Sequence, residues 1–137
     1  MKRIALFVMC IMILASLTGC HVSKYTSHWN AVAFVRSYTS QKANMSFSRF
    51  EGTIVYELNC KGEKETLHYS STLESGSADV FYDNGGEKVL MFSVKGGSDA
   101  DGFISDLQKG KIYIIVETTE ACTEGQFKFE IVDEVSN

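Results

Sequence analysis

From residue 45 onward, polar and apolar side chains alternate with a period of two, in short runs broken by Gly, Asn, Asp and Ser. Such a period places successive side chains on opposite faces of a strand. No stretch in this region sustains the 3.6-residue period of the crossover helices that a parallel sheet needs. Ile54, Tyr56, Leu58 and Cys60 fall on one face, with Thr53, Glu57 and Asn59 opposite. Leu67, Tyr69 and Leu73 oppose Thr66, His68, Ser70 and Thr72, and Val80 and Tyr82 oppose Asp79, Phe81 and Asp83. Ile112, Ile114 and Val116 make a further apolar row, and Phe127, Phe129 and Ile131 make the last, with Lys128 and Glu130 facing water. Val89 to Val94 is apolar on both faces, as expected of a central strand or of one crossing a sandwich corner.

The breaks are expected at Lys61-Gly62-Glu63, which permits a hairpin, at Glu74-Ser75-Gly76-Ser77, at Asn84-Gly85-Gly86, across Gly96 to Gly102, and around Cys122 to Gly125. Together these predict an all-β, antiparallel sandwich of jelly-roll type with about seven to eight strands; an immunoglobulin-like sandwich is the alternative. Ala31 to Tyr38 suits a strand, although Trp29 to Arg36 also fits a short helix. The rhythm of Gly110-Lys111-Ile112-Tyr113-Ile114 followed by Gly125-Gln126-Phe127-Lys128-Phe129 resembles the closing hairpin of small jelly-roll binding domains in secreted bacterial proteins.

The start of the chain is of another kind. Met1, Lys2 and Arg3 precede an uncharged run from Ile4 to Leu17, with small residues before Cys20, the layout of a secretory signal. As a helix at ~1.5 Å per residue, that run reaches ~21 Å, short of the ~30 Å of a hydrocarbon core. Leu17, Thr18, Gly19 and Cys20 match the lipobox, and the segment resembles bacterial lipoprotein precursors. The resemblance implies that residues 1–19 are removed and that the Cys20 thiol carries a diacylglycerol. It also implies that the mature protein is anchored by lipid outside the cytoplasm, on the cell membrane or the outer membrane. His21 after the cysteine, by the same resemblance, favours the outer membrane in a two-membrane bacterium. Residues 20–30 then read as the lipidated terminus and a tether, and 31–137 as a single β-sandwich domain.

Without Lys2 and Arg3 the chain keeps 11 basic against 17 acidic residues, a formal charge of −6 with no basic cluster. That balance argues against nucleic acid as a partner and leaves lipid, rather than charge, to hold the protein at an anionic bilayer. With Cys10 in the signal and Cys20 lipidated, Cys60 and Cys122 are the remaining pair. They are a candidate disulfide or two separate buried thiols. Neither they nor His21, His28 and His68 have the spacing of a zinc site, and no cofactor is implied.

Three constellations carry candidate chemistry. His68 lies mid-strand beside Thr66 and Ser70, which is either a hydrogen-bonded patch for a small hydrolase or a solvated sheet face. Asp99, Asp101 and Asp106 space carboxylates as calcium loops do, but Leu107 and Gly110 stand where an EF-hand needs ligands, so a solvated turn is the alternative. Phe81 between Asp79 and Asp83 suits sugar stacking with carboxylates accepting hydroxyl bonds, or else simple packing. No nucleophile elbow, phosphate loop or zinc-protease motif occurs. The expectation is a membrane-anchored, non-catalytic binding module for a glycan, envelope polymer or protein. The alternatives are an assembly lipoprotein that docks through Phe81 or Trp29, and a small hydrolase.

Overall fold

The computed structural model describes residues 24–62 and 64–133, and among them every regular element is a strand. In chain order these are β1 (His28–Val32), β2 (Val35–Tyr38), β3 (Lys42–Cys60), β4 (Glu65–Asp83), β5 (Val89–Lys95), β6 (Ser98–Ile104) and β7 (Gly110–Asp133). All pairings are antiparallel, in the order β1-β3-β7-β4-β5, with β2 also beside β3 and β6 also beside β4. The all-β antiparallel class expected from the alternation is the class found. The short helix considered for Trp29 to Arg36 is instead two strands separated at Ala33, whose φ is +49°. Cys20 and the lipobox lie outside the described residues.

Three strands of 19 to 24 residues are too long for one flat layer of a domain this size. Their burial pattern shows what they do instead. In β3 the buried positions are Ala43, Met45 and Phe47, then Phe50, Ile54, Tyr56, Leu58 and Cys60, so odd gives way to even. In β4, Leu67, Ser71 and Leu73 give way to Ala78 and Val80; in β7, Ile112, Ile114, Val116 and Cys122 give way to Phe127, Phe129 and Ile131. A strand that keeps one face inward can change parity only where the ladder is interrupted. The register between β3 and β7 shifts between Phe50 and Thr53, and that between β4 and β7 shifts around Ser77. All three strands therefore bend at their middles, and the sheet folds over onto itself.

The first layer holds the early halves of β3 and β4, the late half of β7, and β2 and β6. The second layer holds the other halves and β5. One apolar cluster fills the space between, including Met45, Phe50, Phe127 and Phe129 with Ile54, Leu58, Ile112 and Ile114. Aromatic pairs span the layers on both sides. Tyr69 of β4 stacks on Phe92 of β5 at 4.6 Å, and Tyr38 of β2 meets Tyr56 of β3 at 5.8 Å.

The folding-over explains where strand boundaries differ from expectation. Glu74-Ser75-Gly76-Ser77 and the segment around Cys122 to Gly125 are the bends of continuous strands rather than turns. The connection after Cys60 does not close a hairpin, because β7 lies between β3 and β4. Most of the break expected across Gly96 to Gly102 instead belongs to β6, on the edge of β4. Val89 to Val94 is the outermost strand of the second layer rather than a central one, and Leu90 is exposed there.

The candidate disulfide is not formed: Cys60 and Cys122 are both buried free thiols. Cys60 pairs with Gly110 at the start of β7, whereas Cys122 sits at its bend. The regular ladder from Gly110 to Glu117 already separates them by on the order of 23 Å at ~3.3 Å per residue, far beyond the ~7 Å that a disulfide spans between α-carbons. Burial pushes both thiols up, that of Cys122 to about 11, so both stay protonated and unreactive at neutral pH.

At the bends, Gly52 has φ +125° and Gly76 has φ +90°. A β-carbon on Gly76 would stand 2.2 Å from the Ala121 carbonyl oxygen, and one on Gly52 would stand 2.2 Å from that of His28. Gly76→Ala therefore combines left-handed strain with a backbone clash and is expected to cost roughly 2–4 kcal/mol. Chemical denaturation measures this, and a loss under about 0.5 kcal/mol would show that the bend does not need glycine.

Candidate functional site

The two outer faces of the folded sheet differ in how much of their chemistry is already used. On the second layer, cross-strand rows place Asp79 beside Glu117, Phe81 beside Ile115, and Asp83 beside Tyr113. Residues 24–27, expected as part of a tether, are held across this face. The Lys24 ammonium lies 2.7 Å from Asp83 Oδ2 and donates to the Gly86 carbonyl at 2.8 Å. The Tyr25 hydroxyl donates to the same carboxylate at 2.6 Å, and the Gly86 N–H donates to Oδ1 at 2.7 Å. Ser27 Oγ accepts from the Val55 N–H at 3.0 Å, and the Tyr25 ring meets Tyr113 edge-on at 5.4 Å.

Asp79, Phe81 and Asp83 thus do share one face, but each has a partner within the chain. Asp83 is 2% exposed and fully bonded. Asp79 accepts from the Ser93 hydroxyl at 2.6 Å. The Phe81 ring is capped by Lys88 Nζ at 4.3 Å, and Lys88 bridges Glu117 at 2.7 Å. Packing, the alternative weighed for Phe81, describes it better than an open sugar platform does.

The outer face of the first layer is the opposite case. Its registers align Lys42, Glu130, His68 and Phe103 in one row. Asn44, Lys128, Ser70 and Asp101 form the next row, and Ser46, Gln126, Thr72 and Asp99 the third. The first two rows line a groove of about 550 Å³. Phe103 is 64% exposed at its end, its ring 5.9 Å from that of His68 and inclined by 28°. Among the described residues, Lys42, Lys128, Glu130 and Asp101 enter no ion pair, although opposite charges are cross-strand neighbours. Asn44 donates to Ser37 Oγ at 3.3 Å, while its carbonyl oxygen is buried without a partner among the described residues.

His68 Nε2 shares a hydrogen bond of 3.1 Å with Thr66 Oγ1, so two of the three residues of the proposed polar patch do meet. Among the described residues no carboxylate bonds the ring. Asp99 and Asp101 point outward from β6, whereas Asp106 lies in the following loop with φ +58°. Among the described residues no three His, Cys, Asp or Glu side chains converge as metal ligands, so the calcium candidates are not brought together.

Sequence reasoning missed Phe103. The signal was present, since Asp99, Asp101 and Phe103 alternate with Ala100, Gly102 and Ile104. The Ser, Asp and Gly content of the segment made it read as a loop.

No protein-family model matches the chain, and no curated protein matches it. Among solved structures, it is similar to TmCBM61 in complex with β-1,4-galactotriose, at 13% identity and a TM-score of 0.44 over 82% of this chain and 85% of that one. It is similar to PliG from Aeromonas hydrophila, a periplasmic inhibitor of g-type lysozyme, at 18% identity and a TM-score of 0.46 over 68% and 88%. A family 29 carbohydrate-binding module complexed with mannohexaose shares 12% identity, with a TM-score of 0.41 over 81% of each chain.

The buried Asp83 gives the docked segment a pH signature. Burial pushes its carboxyl up, but the Lys24, Tyr25 and Gly86 donors outweigh this and hold it down to about 2. A carboxyl lowered in the folded state stabilises above its unfolded value of about 4, and that contribution is lost as pH falls toward 2. Asp83→Asn is expected to cost about 1–2 kcal/mol at pH 7 and little near pH 2. Urea unfolding at both values measures it; an equal deficit at each pH would rule out the ionic role.

Proposed function

We propose that the protein is a lipid-anchored, extracytoplasmic, non-catalytic module that binds a glycan chain along the outer face of its first layer. The observation that carries this reading is the exposed Phe103 ring at the end of rows of uncommitted hydrogen-bonding groups. A sugar offers an apolar ring face edged by hydroxyls. It therefore needs an aromatic platform next to both donors and acceptors. Phe103 supplies the platform, Lys42, Lys128 and Ser70 supply donors, and Asp101 and Glu130 supply acceptors. Neighbouring strands lie ~4.8 Å apart and same-face residues along a strand ~6.8 Å apart, so the rows offer contacts on the scale of successive sugar rings of a polymer.

The N-terminal segment supports the anchoring part of the reading. Cys20 lies four residues before Lys24, a reach of at most ~14 Å when extended. Lys24 is docked beside Gly86 on the second layer. A lipid on Cys20 accordingly holds the second layer toward the bilayer and leaves the first-layer face turned to the surroundings. Two acyl chains suffice for stable attachment where one does not.

Phe103→Ala is expected to reduce retention by the bound polysaccharide at least tenfold in affinity electrophoresis over an envelope-glycan panel. Stability should stay within about 0.5 kcal/mol of wild type, because the ring is exposed. Undiminished retention, or no retention of the wild type by any glycan, would remove this assignment. Mass spectrometry of membrane-extracted protein is expected to find a chain starting at a diacylglyceryl Cys20; an intact Met1 with an unmodified thiol would remove the anchor.

A further inference from the structure

A second cleft opens on the side of the fold, where the edge of β2 in the first layer meets the edge of β3 in the second. It has a volume of about 310 Å³ and is walled by Tyr25, Tyr38, Tyr56 and Tyr113, with Arg36 at its rim. It shares no lining residue with the groove beside Phe103.

Its walls are fixed before any ligand arrives. The Tyr38 hydroxyl donates to the Glu57 carbonyl, and the Tyr25 hydroxyl donates to Asp83. Tyr38 packs on Tyr56 at 5.8 Å, and Tyr25 packs on Tyr113 at 5.4 Å. Rings pinned at their tips lose little freedom on binding, which is what a preorganised aromatic site requires.

Two polar groups of the cleft are left over. The Tyr56 side chain is 2% exposed, yet its hydroxyl has no hydrogen-bond partner among the described residues. Burial pushes this phenol up to about 12, with Arg36 drawing it the other way, so it remains an O–H donor at neutral pH. A buried donor without an acceptor is destabilising, a cost that a bound acceptor relieves. Arg36 alternates with Ser37 so that it shares the cleft side of β2 with Tyr38, and it forms no ion pair among the described residues. The acidic residue of the lining, Glu57, is compensated by Lys111 at 3.1 Å, so Arg36 leaves the cleft with a surplus positive charge.

We propose that this cleft is a binding site for an acidic sugar, with Arg36 pairing its carboxylate, Tyr56 donating to one of its oxygens and the tyrosine rings flanking its apolar faces. A guanidinium suits a planar carboxylate because two parallel N–H donors match its two oxygens. The volume, at the lower end of small-molecule sites, suits one or two rings rather than a long chain. The site goes beyond the glycan groove and rests on different residues, on the other side of β3.

The test is calorimetric titration of the full-length protein in detergent with D-glucuronate, D-glucose and acetate as probes. Glucuronate is expected to bind at least tenfold more tightly than either of the others. Arg36→Gln should bring glucuronate down to the level of glucose. Tyr56→Phe should weaken glucuronate about three- to tenfold, the equivalent of one hydrogen bond, with a melting temperature equal to or above wild type. A purely structural tyrosine would not move binding at all. Binding of glucuronate no tighter than that of glucose or acetate, or unchanged affinity in Tyr56→Phe, overturns the proposal. Glucuronate binding that survives Phe103→Ala separates this site from the groove, so that either can fail without the other; binding lost in that variant also overturns it.

Discussion

Three strands that each run through both layers impose a constraint that the rest of the molecule inherits. Since β3, β4 and β7 bend together, the hydrogen-bond ladder continues around the corner and the layers cannot separate without breaking it. Each strand must change inward parity at the same height, or the side chains beyond the bend would face water. The bulged registers supply that change, and the positive φ of Gly52, Gly76 and Glu124 supplies the turn of the backbone. The result is a single apolar interior in which Phe50, Phe127 and Phe129 are fully enclosed, each worth about 1.5–3 kcal/mol of burial.

What was legible in the sequence follows from that geometry. Within each half-strand the period of two assigns the inward rows correctly, as Ile54 to Cys60 and Phe127 to Ile131 show. The bends were not legible as bends. A glycine with a phase change looks the same whether the chain reverses or merely folds over, and the difference is decided by which strand lies alongside. Neighbours in space were hidden for the same reason, because β7, last in the chain, inserts between β3 and β4. The hairpin after Cys60 failed on that insertion, and the disulfide to Cys122 failed on the β3–β7 register that places the two thiols far apart along the strands, neither of which a local pattern announces.

The candidate site was half legible. His68, Ser70 and Asp101 were noticed separately, but for catalysis or calcium, since nothing in the sequence says that Lys128 and Glu130 lie between β4 and β3 at the same height. Asp79, Phe81 and Asp83 were correctly placed on one face, and that face proved to be engaged by Lys24, Tyr25, Lys88 and Ser93. An aromatic flanked by acids is the same string whether it awaits a ligand or holds its own N-terminal segment. Only the partners distinguish the two.

The contrast between the faces bears on how binding and stability are divided. On the second layer, Ile115 is buried on the outer side of the sheet and Asp83 is enclosed, so that surface contributes to folding and substitutions there carry a cost. On the first layer, the outward residues of the two groove rows stand over a core that is complete beneath them, with Met45, Phe127 and Phe129 facing inward. Charged neighbours there remain unpaired at spacings where surface ion pairs are worth about 0–1 kcal/mol at most, so folding gains little by joining them. A ligand that offers both donors and acceptors gains more from the same groups, because it meets them already ordered on a rigid sheet. The face that contributes least to holding the fold together is for that reason the one best suited to recognising something else.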